Sequence, residues 1–558
     1  MHTPEPQAEK KPMAPGAFLS GRLVCWVLLA VIIISAAFIH YSAAFIHYEH
    51  ADVPFERDEG EYAYAGQLLL EGIPPYKLAY NMKFPGIYAA YALSEAAFGM
   101  TPTGIRLALI LINAGSILLV FLIAKRLLGR FEAVAAAAFF VVLSMLEPVL
   151  GLFANAEHFV LLPTLAGLFL LIKAHDSGKK SAFLFSGLLL GTAVVIKQHG
   201  LAFLAAAGLY TLLFGIMTEG RDWKRLGTRM AILSIGAALP LAAMCVLLYL
   251  AGVFDKFWFW TVAYAREYVN EIPLELGMRN LRGAAGPIIE SSAPVFLLFT
   301  AGLIALFSTY FKGARAFLAI FLVFSFLSTV PGFHFREHYF ILFLPAVALM
   351  AAAGAGAILR ASSKVLSRRY ALAICSLAVM IATGYSLYTQ RAYLLELSPT
   401  RFSRLMYGSN PFPEALEAAM YIKEHTSPED TIAVIGSEPE IYFYSHRHSA
   451  TGYIYTYAMM EEQPYAERMQ QEMISEIEDK KSAYIVFVRV DRSWLIRPGS
   501  NMFIFAWSED YLSRYYDIEE MMEMTSSEET VHAFGEAAKE YTPHSNRWLA
   551  VYKRKYGV

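Results

Sequence analysis

Over roughly the first 390 residues, apolar positions fall in long unbroken blocks separated by short polar segments. About 20 consecutive apolar residues are what an α-helix needs to cross the hydrocarbon core of a bilayer. Eleven blocks fit: 23–46, 104–124, 132–150, 158–174, 182–197, 200–218, 230–251, 287–309, 316–331, 338–358 and 371–388. The first is too long for a signal-peptide core and lacks a clear small-x-small cleavage site, so it reads as a retained span. It holds a tandem copy, SAAFIHY at 35–41 and again at 42–48, a step that keeps His40 and His47 near one helix face. With no acidic partner nearby, the copy reads as a duplication at the membrane surface and not as a functional histidine pair.

Two segments between blocks stand out. In the long stretch 48–103, residues 59–72 and 84–99 have helical character but are too short or too polar to span, which suits helices lying in the interface. Segment 252–286 opens with FDKFWFW, an aromatic girdle of the kind found at headgroup level.

From about residue 400 the pattern changes to frequent charges and short apolar runs. PEALEAAMYIKEH (413–425) has the spacing of an amphipathic helix, and 461–481 is helical again. TIAVI (431–435), AYIVFV (483–488) and WLAVY (548–552) are short β-rich runs. The expected architecture is mainly α: a polytopic membrane protein of about eleven transmembrane helices with a soluble C-terminal α/β domain. Its expected parts are an N-terminal tail (1–22), a transmembrane domain (23–390) carrying the outer loop 48–103, and a C-terminal domain (391–558).

Composition agrees: the 558 residues are 56% hydrophobic and 17% charged, against roughly 25% charged in soluble domains. A net charge of −2 supplies no basic field for nucleic acid. Cys25, Cys245 and Cys375 all lie inside apolar blocks and read as small core residues, not a disulfide framework. Charge also sets orientation. Lys10, Lys11 and Arg22 lie on one side with Lys125, Arg126 and Arg130, then Lys173, Lys179 and Lys180. Arg221, Lys224, Arg225 and Arg229 follow in the same alternation, then Lys312 and Arg315, then Arg360, Lys364, Arg368 and Arg369. Positive loops stay inside. The expectation is a multi-pass protein of the plasma (inner) membrane with a cytoplasmic N-terminus and an extracytoplasmic C-terminal domain.

Five polar clusters then share the outer side. Arg57-Asp58-Glu59-Gly60-Glu61 puts three carboxylates within four residues. Such a cluster can bind a metal, act as a base or orient a hydroxyl, although a solvated loop looks the same. Lys83, in Asn81-Met82-Lys83-Phe84-Pro85-Gly86, can hold a phosphate as a point charge or snorkel to water. The others are Asn155-Ala156-Glu157-His158, the hairpin Lys197-Gln198-His199, and His334-Phe335-Arg336-Glu337-His338-Tyr339. Charged groups at membrane depth cost about 2.5–3.5 kcal/mol each, so they mark function. His334 and His338 are four apart, which on a helix gives one face, as for zinc ligands. The H-E-x-x-H glutamate and a third ligand are lacking, so no metal ligand is assigned. No cofactor is assigned, and a divalent metal is compatible with the acidic cluster.

These clusters carry a family resemblance. RDEGEYAYAGQLLLEG after the first span resembles the acidic motif of C-type (GT-C) glycosyltransferases, and MKFPGIY is similar to the Lys-Pro-Pro element of their protein O-mannosyltransferase and aminoarabinose-transferase branch. NAEHFVLLPTLAGLFLL and REHYFILFLPAVALMAA resemble later elements of that branch, so the likeness runs from residue 23 to about 390. Phe84-Pro85-Gly86 stands where the branch often has two prolines, which leaves the sugar, hexosyl or pentosyl, open.

The resemblance implies an inverting glycosyltransferase. It would move a sugar from a polyprenyl-phosphate donor to a hydroxyl of a lipid, glycan or protein acceptor at the outer face, among membrane lipids. It implies Asp58 as the catalytic carboxylate with Glu59 beside it, and Lys83 at the lipid phosphate. Glu157, His158, Lys197, Arg336, His338 and Tyr339 would hold donor or substrate. The competing readings are a transporter and a noncatalytic membrane protein; a transporter predicts charges paired at the bilayer midplane and half-to-half repeats. Neither pattern is evident.

Overall fold

A computed structural model describes residues 15–41, 53–218, 222–395, 399–526 and 529–555. The second SAAFIHY copy with His47, the side chain of His40, Lys10, Lys11 and Arg221 lie outside the described residues.

Helices form at each of the eleven apolar blocks. The first nine helices of the chain are α1 (Pro15–Tyr41), α2 (Arg57–Leu70), α3 (Gly86–Phe98), α4 (Pro102–Leu127), α5 (Arg130–Ser144), α6 (Ala156–Ser177), α7 (Lys180–Ile196), α8 (Gly200–Thr218) and α9 (Trp223–Leu250). Local chemistry sets their ends. Thr101 caps α4 by accepting from the Gly104 N–H at 3.0 Å, with Pro102 in the first turn. Asp222 caps α9 by accepting from the Arg225 N–H at 3.0 Å. Gly178, at φ 68°, closes α6 in the left-handed conformation. The helices pack backbone to backbone where glycine permits: a Cβ on Gly187 would sit 2.1 Å from the Leu233 carbonyl oxygen, so α7 and α9 touch only because it is absent.

Six helices among the described residues are long and apolar enough to cross a membrane, or seven if one bent pair is a single span. That is fewer than the eleven expected. Blocks 132–150, 182–197 and 316–331 hold helices of 15, 17 and 13 residues. Block 287–309 is not one span: helix Leu274–Ser291 turns by 102° into Ala293–Ala305. Pro294 in the first turn of the second helix cannot extend the first one. Block 338–358 begins as a 3-10 segment, Glu337–Leu342, before the α-helix Leu344–Ser362.

The segments expected to lie in the interface are helical, as α2 and α3, but α2 is buried on nearly all sides. The C-terminal helix Glu440–Ser445 closes over it, so tightly that a Cβ on Gly60 would lie 2.6 Å from the Glu440 Cβ. A polar helix avoids the interface here because the C-terminal region covers it and satisfies its charges.

The C-terminal region is built on a six-stranded mixed sheet ordered β2-β1-β3-β6-β4-β5. Its strands are β1 (Thr431–Ile435), β2 (His448–Ser449), β3 (Tyr484–Val490), β4 (Tyr516–Met524), β5 (Thr530–Phe534) and β6 (Arg547–Arg554). β2, β1 and β3 run parallel, while β6 is antiparallel to both β3 and β4. The carboxyl ends of β1 and β3 lead into Ser437-Glu438 and Ser493, which meet α2 and each other.

Candidate functional site

The site starts from the cap of α2. Glu56 and Glu59 form a reciprocal capping box, which fixes the first turn. Residues three apart on a helix share a face, so Asp58 and Glu61 point the same way and Glu59 is turned aside. Lys83, from the loop before α3, reaches both: its Nζ lies 2.7 Å from Asp58 Oδ1 and 2.8 Å from Glu61 Oε2. Tyr455, from the C-terminal region, donates to Asp58 Oδ1 at 2.7 Å. Glu61 also accepts from the Tyr88 hydroxyl at 2.6 Å and the Asn81 amide at 2.9 Å. The Lys83 ammonium stands 4.5 Å from the centre of the Tyr62 ring.

Burial works against the charge on Asp58, but Lys83 and the Tyr455 hydroxyl outweigh it and hold the carboxyl well below its ordinary range. Burial would likewise lower the Lys83 ammonium, yet the two carboxylates push it up. Glu61 is raised by burial against the pull of Lys83. Its three donors are those an ionised carboxylate accepts. Glu59 serves the scaffold: it accepts from the Ala154 N–H at 2.8 Å and lies 3.6 Å from Arg106.

A second group gathers around Glu157 in the first turn of α6. Lys197, just past the end of α7, lies 2.5 Å from Glu157 Oε1, and His338 Nε2 lies 4.0 Å from the same oxygen. Lys197 also sits 4.6 Å from the centre of the Tyr339 ring, which His199 meets edge-on at 4.6 Å. Gln198 donates to the Met82 carbonyl at 2.8 Å, tying this hairpin to the Lys83 loop. Burial lowers His338 from the ordinary histidine range despite Glu157. Arg336 is exposed, near the hydroxyls of Tyr268, Tyr339 and Tyr457; its carbonyl accepts from the Tyr339 N–H at 3.0 Å, and its guanidinium makes no hydrogen bond or ion pair among the described residues.

His158 is placed elsewhere: its Nδ1 lies 2.9 Å from the Asn113 side chain of α4, inside the bundle. His334 and His338 do not share a helix face. Phe335 between them takes φ 47°, His334 stacks on Tyr268 with ring centres 4.2 Å apart, and His338 turns to Glu157. No group of three or more His, Cys, Asp or Glu among the described residues is placed to hold a metal.

Sequence reasoning put Glu61 in the acidic cluster and Tyr88 beside the Lys83 turn without giving either a role, and it did not reach Tyr455. Glu61 carried a signal, the three-residue step from Asp58. Arg57, also unassigned, anchors α2 to the C-terminal region: it donates to Tyr457 Oη at 2.6 Å, to Glu438 at 2.8 Å and to the Ser437 carbonyl.

Residues 83–261, which include Lys83, Glu157 and Lys197, match the model of the dolichyl-phosphate-mannose-protein mannosyltransferase family. Among solved structures, the fold is similar to ArnT from Cupriavidus metallidurans bound to undecaprenyl phosphate, at 15% identity and TM-score 0.58 over 95% of this chain and 98% of that one. The apo state of the same ArnT gives 16% identity and TM-score 0.57 over the same shares. The oligosaccharyltransferase AglB from Archaeoglobus fulgidus, in complex with an inhibitory peptide and a dolichol-phosphate, is similar at 13% identity and TM-score 0.52, over 91% of this chain and 74% of that one. No curated protein sequence matches. Over residues 83–261 the chain thus matches a family of membrane glycosyltransferases with lipid-linked donors, and its fold as a whole is similar to that of ArnT.

Proposed function

We propose that the chain moves a sugar from a polyprenyl-phosphate donor to an acceptor hydroxyl at the outer face of the plasma membrane, with inversion at the anomeric carbon. The carrying observation is a partly open carboxylate, Asp58, and an exposed cation, Arg336, that both act on the hydroxyls of Tyr339 and Tyr457 between them. The acceptor oxygen attacks the anomeric carbon while the bond from that carbon to the phosphate oxygen breaks. The hydroxyl proton passes to Asp58, and polyprenyl phosphate leaves with the bonding electrons. Arg336 neutralises the leaving phosphate. Lys83, engaged by two carboxylates, is the counter-charge of the base, a different role from the phosphate contact that the family resemblance implies. The lipid-phosphate ligands of ArnT and AglB support a donor of this type.

Undecaprenyl-phosphate binding by the purified protein tests this. Hydrogen bonds to charged groups contribute about 1.5–3 kcal/mol, so Arg336→Ala is expected to weaken binding about 10- to 100-fold, with Arg336→Lys recovering part of it. Wild-type affinity in Arg336→Ala would remove the guanidinium from the phosphate.

The facing of the site is tested separately. With the Lys/Arg loops inside, alkaline phosphatase fused after Val558 is expected to be active and a cytoplasmic fluorescent reporter dark. The reverse pattern would put Asp58 and Arg336 on the cytoplasmic face.

A further inference from the structure

Asp58 is held from a distant part of the chain. Tyr455, separated from it by 397 positions, donates to Oδ1 at 2.7 Å, and Lys83 reaches that same oxygen at 2.7 Å. Among the described residues no hydrogen bond is made to Oδ2, and the Asp58 side chain keeps 23% exposure. The backbone beneath it is already fixed. Arg57 is clamped by Glu438 and Tyr457, the Phe55 N–H donates to the Tyr444 hydroxyl at 2.7 Å, and the Ser449 N–H donates to the Tyr64 hydroxyl at 2.8 Å.

What stays free in such a side chain is rotation of the carboxylate, a broad torsion in which the two oxygens exchange. Lys83 alone would not prevent that exchange, since an ammonium on a flexible stem follows either oxygen. The Tyr455 hydroxyl sits on a rigid ring in a fixed place, so one oxygen only can meet both donors. We infer that Tyr455 is a positioning residue: with Lys83 it pins Oδ1 and leaves Oδ2 as the oxygen that takes the acceptor's proton. The C-terminal region thereby completes the site. In the transfer, the acceptor proton moves to Oδ2 and the Tyr455 proton stays on its own oxygen, whose ionisation is pushed far up by burial and by Asp58. The inference rests on the reading of Asp58 as the base.

The experiment compares Tyr455→Phe, Tyr444→Phe and Asp58→Asn in full-length protein, with sugar transfer from a defined polyprenyl-phosphate donor and melting measured in parallel. Tyr455→Phe is expected to lower kcat about 10- to 100-fold, the scale of a misplaced reacting group, with KM for the donor unchanged. Losing a hydrogen bond to the ionised form raises the pKa of Asp58, and the base works only when ionised, so the low-pH limb of kcat moves to higher pH. Tyr444→Phe loses a buried bond between the same two regions without touching Asp58, and is expected to lower melting while keeping kcat. Tyr455 replaced by 3-fluorotyrosine, still a donor of nearly the same shape, is expected to retain kcat, and it keeps the question open to measurement if Tyr455→Phe is unstable. Equal kcat losses in Tyr455→Phe and Tyr444→Phe, or a 3-fluorotyrosine enzyme as slow as Tyr455→Phe, would reduce Tyr455 to an interface residue. Wild-type kcat in Tyr455→Phe beside an inactive Asp58→Asn would overturn this inference alone. Wild-type transfer by Asp58→Asn would overturn the base assignment beneath it.

Discussion

Transfer by the Asp58→Asn variant is expected to fall about 10²–10⁴-fold, the usual contribution of a positioned general base. The asparagine keeps the size of the side chain and an acceptor oxygen for Tyr455 and Lys83, so it removes charge and basicity with little else. Because Lys83 and Tyr455 hold the wild-type carboxyl below its ordinary range, the base is fully ionised at neutral pH and loss of charge is the whole of the change. Glu59→Gln is the control. Glu59 faces Ala154 and Arg106, so that variant is expected to melt earlier while kcat changes far less. The measurement is sugar transfer from a defined polyprenyl-phosphate donor by purified protein in nanodiscs. Near-wild-type transfer by well-folded Asp58→Asn would end the assignment and shift it to Glu61 or Glu157.

The helical part of this fold could be read from block length because a span has to satisfy its own backbone in lipid and therefore announces itself as an apolar run. What the runs did not show was where they bend or shorten. Pro294 marked the 102° turn, but prolines are tolerated in membrane helices, so the residue alone did not distinguish a kink from a corner. β4, YDIEEMMEM, was invisible for a different reason. Buried Glu520 and Glu523 interrupt its apolar pattern, and Glu523 accepts from Tyr541, His544 and Ser545, which arrive from 18 to 22 positions further on and not from its own strand.

The site was legible up to the point where the C-terminal region enters. Strict alternation of positive loops put all five polar clusters on one side, and in the structure Asp58 with Lys83, and Glu157 with Lys197 and His338, stand together. Glu61 was readable from helix geometry, since a step of three places it beside Asp58 while the adjacent Glu59 cannot be there. Tyr455 was not readable, because its relation to Asp58 exists only through the docking of β1 and β2 loops onto α2. The same docking explains why α2, polar enough to have suggested an interfacial helix, is buried.

Lys83→Ala is the second variant with a large expected effect, and its outcome separates two roles for one ammonium. In the structure this cation lies between Asp58 and Glu61, with 16% of its side chain exposed and Glu61 fully buried. Removing one partner of such a buried pair costs about 3–5 kcal/mol, because the remaining charges are left uncompensated. The single variant is therefore expected to melt earlier and to lose about 10²–10³-fold in kcat, as for removal of one preorganised electrostatic group. Sign follows from the depressed carboxyl of Asp58: its stabilisation is present above the unfolded value, about 3.9, and is lost as pH falls through the lower folded value. Without Lys83 that folded value rises, so the variant is expected to lose stability and activity at higher pH than wild type. Donor affinity falls too, since two unpaired carboxylates repel a phosphate, and that fall alone does not say what Lys83 touches. Lys83→Met combined with Glu61→Gln does, because it restores the net charge of the group without restoring the ammonium. If Lys83 is the counter-charge of the base, undecaprenyl-phosphate binding in the double variant is expected to return close to wild type while Arg336→Ala stays weak. If binding remains as poor as in Lys83→Ala, Lys83 contacts the phosphate directly, and the division of labour between it and Arg336 is wrong.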